Sequence, residues 1–148
     1  MMFISHRGNI NGRIPEKENS PEYIYDAMLH DYYVEVDVRL IGNKFLLGHD
    51  NPQYETDPEF LTQPYLWCHA KDITTFAALL ELKAHTFIHD TDDATLTSRG
   101  FIWTYPGKIL TKKSIGIIHE PKLYPEYTTC AGICSDNIKF FREALSGK

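Results

Sequence analysis

Between Tyr33 and Asp50, Val34, Val36 and Val38 alternate with Glu35, Asp37 and Arg39. A period of two predicts a strand with one apolar and one charged face. Gly42-Asn43 supplies the positive-φ residues of a two-residue hairpin turn. Lys44 to Leu47 then returns as the partner strand, ahead of Gly48-His49-Asp50. Regular pairing about this turn would set His49 opposite Val36, on the face away from Glu35 and Asp37. A break in the ladder at Gly48 is therefore expected, and glycine permits one.

Six further short apolar runs read as strands: Phe3-Ile4, Tyr65 to Cys68, Thr86 to Ile88, Phe101 to Thr104, Ile115 to Ile118 and Ala131 to Cys134. Helices fall between some of them. Ser20-Pro21-Glu22 is a helix start, with Ile24, Ala27 and Met28 turned inward and an end near His30-Asp31. Asp72 caps a helix in which Ile73, Phe76, Ala77, Leu80 and Ala84 share one face. Asn137 caps a closing helix that packs through Ile138, Phe141 and Leu145. Asn9 to Asn19 reads as a loop. Asn51 to Gln63 reads as an irregular excursion with one helical turn at 58–61, and Asp92 to Ser98 as a further helical turn. His30 and His85 follow helices and are expected in solvent. Strand–helix alternation favours parallel pairing.

The apolar runs end in a repeated chemistry: His6, His49, His69, His89, His119-Glu120 and Asp136. In a parallel barrel the strand carboxyl ends converge, and the active site lies there. Glu35 and Asp37 sit two residues apart, about 6.6 Å along a strand, and can converge on one hard cation. His6 and His49 titrate near neutral pH and suit acid/base work. Arg7 and Lys71 add fixed positive charge close to the same strand ends. Asp90-Thr91-Asp92-Asp93 is not an EF-hand loop, because Thr95 and Ile102 occupy the positions of its turn glycine and bidentate glutamate. There is no phosphate-binding P-loop and no Gly-x-Ser-x-Gly nucleophile elbow.

Composition narrows the class. The 148 residues, 43% hydrophobic and 24% charged, suit one domain over 1–148 with a sizeable core. A net charge of -5 without a basic run argues against nucleic acid as a partner. No apolar run approaches the ~20 residues of a membrane span. Residues 1–6 are too short and polar for a signal peptide. Three widely spaced cysteines argue against a disulfide framework, so a reducing, cytoplasmic compartment is expected. The sequence leaves the oligomeric state open.

His6-Arg7-Gly8, Glu35-x-Asp37 and His49-Asp50 together resemble the glycerophosphodiester phosphodiesterase family, of the phospholipase-C-like barrel superfamily. Glu18-Asn19-Ser20 is similar to the family's Glu-Asn-Thr, Trp103-Thr104 to its late Trp-Thr strand, and Gly132 to Asp136 to its final Gly-Ile-x-Thr-Asp. The resemblance implies a TIM-type (β/α) barrel and metal-dependent cleavage of a small glycerophosphodiester-like substrate. Glu35 and Asp37 would hold the divalent ion, Arg7 and Lys71 would bind the substrate's phosphate, and His6 and His49 would form the acid/base pair. The nucleophile would be water or a hydroxyl of the substrate.

Two departures modify this. The chain is short of the ~200 residues of a small eight-stranded barrel, so a reduced barrel of about seven parallel strands, with some helices missing, is expected. The family's Glu-x-Lys reads His69-Ala70-Lys71 here. An imidazole ligand shifts preference from Mg²⁺ or Ca²⁺ towards Mn²⁺ or Zn²⁺, and Glu120 is a source for the missing carboxylate. The same residues also fit a non-catalytic phosphate-ligand binding domain, or a structural domain whose polar strand ends bind nothing.

Overall fold

The computed structural model describes residues 1–147. Its elements in chain order are β1 (Met2–His6), α1 (Pro21–Leu29), β2 (Tyr33–Ile41), β3 (Lys44–Leu47), β4 (Tyr54–Thr56), α2 (Pro58–Leu61), β5 (Leu66–Ala70), α3 (Ile73–Glu81), β6 (Thr86–Ile88), β7 (Ala94–Leu96), β8 (Ile102–Thr104), β9 (Ser114–Ile117), β10 (Gly132–Ser135) and α4 (Ile138–Ser146). The fold is mixed α/β. The strands in the order β6-β5-β2-β1-β10-β9-β8 pair in parallel, and each contains or overlaps one of the apolar runs. Three more, β3, β4 and β7, pair antiparallel.

Seven strands run parallel, but the sheet is a curled half-barrel of mixed direction and not the reduced TIM-type barrel expected from the sequence. Among the described residues no ladder joins β6 to β7 or β8. Instead Ser98 N donates to Thr86 O at 2.8 Å, and the Thr95 hydroxyl donates to Ile88 O at 2.9 Å. The physical reason is a tight turn at residues 97–100. Thr97 N donates to Phe101 O, Gly100 N donates to Thr97 O, and Gly100 takes a positive φ of 83°. That turn folds β7 against β8, where the sequence suggested a helical turn.

The two sheet faces divide the core. Ile4, Trp67, Phe87, Trp103, Ile115, Ile117 and Cys134 fill the concave side. On the convex side Val34, Val36 and Val38, all fully buried, pack with Ile24, Ala27, Leu79 and Phe141 from the helices. Burying one such valine contributes about 1.5 kcal/mol or more. The Ser20 hydroxyl caps α1 at Tyr23 N, and Asp72 caps α3 at Thr75 N. All three thiols are free and buried. No described helix is long and apolar enough to cross a membrane.

Two expectations are overturned on the convex side and at the sheet's floor. Helix α3 turns Thr75 and Leu79 inward, while Ile73 is 78% and Leu80 44% exposed. The cause is a backbone donor: Leu40 N has left the β5 ladder and donates to Thr75 Oγ1 at 2.8 Å, and an unpaired buried N–H would be costly. His85 is buried, not solvated. It lies 4.0 Å from Trp67, centroid to centroid, and its Nε2 meets the Thr97 hydroxyl at 2.8 Å. Burial and the charge of Arg99 push its pKa down to about 4, keeping it neutral.

The break expected at Gly48 is present. Arg7 N donates to Glu35 O, and Gly48 N donates to Asp37 O. Carbonyls two residues apart point to one edge, so β3 takes over the edge of β2 where β1 leaves it. Gly48 then turns the chain at φ 151°, and a Cβ there would collide with the Asn51 carbonyl oxygen.

Candidate active site

Alternation on the strands decides which side chains meet. Glu35 and Asp37 share the concave face of β2 and are 2% and 0% exposed. The register sets His6 beside Glu35 and Asp37 beside His69. His69 continues the inward line begun by Trp67, and Lys71 follows two residues later, beyond the end of β5. The concave positions of β1, β5, β6 and β9 are thus apolar within the sheet and turn polar at its carboxyl edge. His6, Arg7, Glu35, His69 and Lys71 line one cavity of about 380 Å³, with His89 and His119 on its far wall.

Asp37 is the centre of charge. Its Oδ2 accepts from Asn19 Nδ2 at 2.9 Å and faces Arg7 Nε at 3.1 Å. Its Oδ1 faces His69 Nδ1 at 3.3 Å and Lys71 Nζ at 3.4 Å. Burial works against this carboxylate, but His69, Arg7 and Lys71 hold its pKa well below the usual range. The same contacts, with Glu35 Oε1 at 3.7 Å, outweigh burial at His69 and raise its pKa.

His6 is held from both sides. Its Nδ1 meets Asp136 Oδ1 at 2.9 Å, and its Nε2 lies 3.7 Å from Glu35 Oε2. Burial disfavours the charged ring, yet Asp136 and Glu35 raise its pKa. Asp136 in turn accepts from Asn9 at 2.8 Å. Burial would raise its pKa, but the bond from His6 lowers it. The two buried ends of the β1–α1 loop complete the frame. Arg7 and Asn19 adopt left-handed backbones, with φ of 59° and 65°. Glu18 accepts from Arg7 at 3.1 Å and Arg13 at 2.7 Å. Its pKa is lowered by those bonds against the effect of burial.

His49 reaches the rim of the same cavity. Its ring is 40% exposed, and Nδ1 contacts Asp50 at 2.7 Å. Arg39 fixes the turn beneath it. The guanidinium donates to the carbonyls of Gly48, His49 and Asp50 at 3.4, 2.6 and 3.4 Å.

Glu35, Asp37 and His69 each offer a ligand atom, and the three lie within 4.8 Å of one another. Glu35 Oε2 is buried with no hydrogen-bond partner. An unpartnered buried carboxylate oxygen fits a coordinating role, and the two-carboxylate, one-imidazole set suits Mn²⁺ or Zn²⁺ as well as Mg²⁺. Asp37 Oδ2 faces Asn19 and Arg7 at about 3 Å, so Oδ1, which contacts His69 and Lys71 at 3.3 and 3.4 Å, is the oxygen it would offer a cation. Glu120 is not brought to this cluster. It is exposed, on the wall of a neighbouring cavity.

Sequence reading gave no role to Asn9, Arg39 or Tyr105, and Asn19 entered it only within the Glu18-Asn19-Ser20 motif. The available signal was Glu18-Asn19 at the helix entrance, two polar residues ahead of a cap. His89 stacks on Tyr105 at 3.5 Å between centroids. Burial and the nearby charge of His69 lower its pKa. Compared with known proteins, the chain matches no family model, no curated protein and no solved structure.

Proposed function

We propose that the chain is a metal-dependent phosphodiester hydrolase acting on a small glycerophosphodiester-like substrate, on a half-barrel that is a reduced form of the (β/α) barrel. The observation that carries this reading is convergence: His6, Arg7, Glu35, His69 and Lys71 line one cavity although 65 positions separate the first from the last. Glu35, Asp37 and His69 would hold the divalent ion, which when bound supplies charge neutralisation at a non-bridging phosphoryl oxygen. Arg7 and Lys71 attract the phosphate monoanion into the cavity, and ion-pair contacts with Asp37, with the Arg7 bond to Glu18, keep them oriented before it arrives.

His6 is the acid. Asp136 and Glu35 favour its protonated form against burial, and Asp136 holds Nδ1 so that Nε2 faces Glu35 and the cavity. His49, at the open rim, is the base. It takes the proton of the attacking hydroxyl as the new P–O bond forms. His6 gives its proton to the departing alkoxide as the old P–O bond breaks.

A phosphate-ligand binding domain without turnover is the second reading. It is favoured by His49, whose ring is half-exposed and contacts Asp50 rather than a cavity partner. Hydrolysis of bis-p-nitrophenyl phosphate and of glycerophosphodiesters, with and without chelator, separates the two. Chelator-sensitive turnover that disappears in His6→Ala supports the hydrolase. Phosphate binding in both proteins without turnover supports the binding domain.

A further inference from the structure

Helix α3 faces the opposite way from its sequence pattern, and this leaves an apolar ridge at its solvent pole. Thr75 and Leu79 are turned to the sheet. Each residue of a helix advances about 100°, so positions 73, 77 and 80 lie on the opposite pole. Ile73, Ala77 and Leu80 stand there, all three exposed. Leu29, Leu96 and Ile109 are also exposed, but they come from three different places in the fold, and scattered single residues need no explanation. A surface helix normally turns charge to solvent. α3 has one charged residue, Glu81, and the same geometry puts it beside the ridge and not on it.

The two ends of the ridge differ in charge. Asp72 precedes it and caps the helix. Beyond the other end Lys83 is exposed, and the Arg99 guanidinium donates to the Lys83 carbonyl at 3.5 Å. Among the described residues Asp72, Glu81, Lys83 and Arg99 form no ion pair. Two copies of α3 laid antiparallel would set Asp72 of each against Lys83 and Arg99 of the other, with Glu81 as the one opposing carboxylate. The helix dipoles would also be opposed. Ile73 of each copy would meet Leu80 of the other, and the small Ala77 between them lets the backbones approach. A ridge complementary to its own reverse is what a two-fold contact requires.

We propose that α3 is the contact between two copies of this chain, related by a two-fold axis near Ala77. The proposal does not rest on the hydrolase reading. Nine helical residues a side fall short of the roughly 20–30 of a standard interface. The dimer is therefore weak, with a Kd of about 10–100 µM.

Sedimentation equilibrium of the intact chain from about 1 to 500 µM tests this. Wild type is expected to pass from monomer to dimer across that range. Ile73→Lys should weaken association at least about tenfold, and because the side chain is exposed the urea midpoint should not move. Asp72→Asn keeps a capping side chain but removes the charge. It and Lys83→Gln should each weaken association about threefold at low salt and less at high salt. The native thiols are buried, so Ala77→Cys supplies an accessible one near the axis. It should form an intermolecular disulfide in air, and Leu29→Cys on α1 should not. A monomer at every concentration, a dimer equally stable in Ile73→Lys, or a disulfide through Leu29→Cys in preference to Ala77→Cys would overturn the proposal. So would phosphatidylcholine vesicles that bind wild type and not Ile73→Lys, since the ridge would then face a bilayer.

Discussion

Around β1, β2 and β5 the strand ends are packed with ions: Asp37 alone touches Arg7, Asn19, His69 and Lys71, and His6 is held between Asp136 and Glu35. Around β8 and β9 the strand ends carry tyrosines, exposed carboxylates and an open cavity. The first region is buried and preorganised, so its charges already stand where a phosphate and a cation would need them. The second lacks a covering helix and has room instead of order. The same sheet thus carries an ordered charge network at one group of strand ends and an open cavity at another.

The sharpest way to break this contrast is to remove its centre. Asp37→Ala leaves Lys71 without its ion-pair partner, takes one of two carboxylate partners from each of Arg7 and His69, and should destabilise the fold by about 3 kcal/mol. Urea unfolding measures this, and a loss below about 1 kcal/mol would mean that the buried network is not a structural unit. Arg39→Ala probes how far the order extends. It frees the carbonyls around His49, and misplacement of a reacting group costs about 10²-fold. Turnover should fall about 10- to 100-fold with KM nearly unchanged, and Arg39→Lys should recover part of it.

The pH dependence of stability sharpens the same contrast. Asp37, Asp136 and Glu18 have lowered folded pKa values. Their contribution is present above the unfolded carboxylate values of about 3.9–4.3 and is lost as pH falls through the folded ones. His6 and His69 have raised values. Theirs is complete below about 6.5 and is lost as pH rises through the folded values. His85, with its pKa pushed down to about 4, and His89, also lowered, act the other way and lose their contribution as pH falls below about 6.5. Stability should therefore peak near neutrality, and urea midpoints that climb steadily from pH 6.5 to 8 would contradict this. The smallest effect belongs to the open region. Lys108→Ala breaks a pair whose side chains are 45% and 75% exposed, and should change stability by less than about 0.5 kcal/mol.

Local rules made much of this legible in the sequence. The Val-Glu-Val-Asp-Val alternation gave β2, Ser20-Pro21 gave the start of α1, and Gly42-Asn43 gave the hairpin. Gly48 was readable as a break because pairing parity required one. What escaped depends on partners distant in the chain. Thr75 turns inward for the Leu40 N–H, 35 residues away. His85 is buried because Trp67 and Thr97 enclose it. β7 forms only because β8 is there to pair with it. Glu120 falls outside the acidic cluster because the chain beyond β9 turns away from the concave side. Glu18 and Asn19 depend on two left-handed residues that local propensity does not specify.

The central claim is that Glu35, Asp37 and His69 hold a cation on which phosphodiester cleavage depends. Titrating Mn²⁺ into chelator-treated protein while following glycerophosphodiester hydrolysis tests it directly. Wild-type protein should gain saturable turnover, and Glu35→Gln, folded to the same urea midpoint within about 1 kcal/mol, should gain none. Turnover that survives the chelator, or that Glu35→Gln recovers at the same Mn²⁺ concentration, would contradict the account.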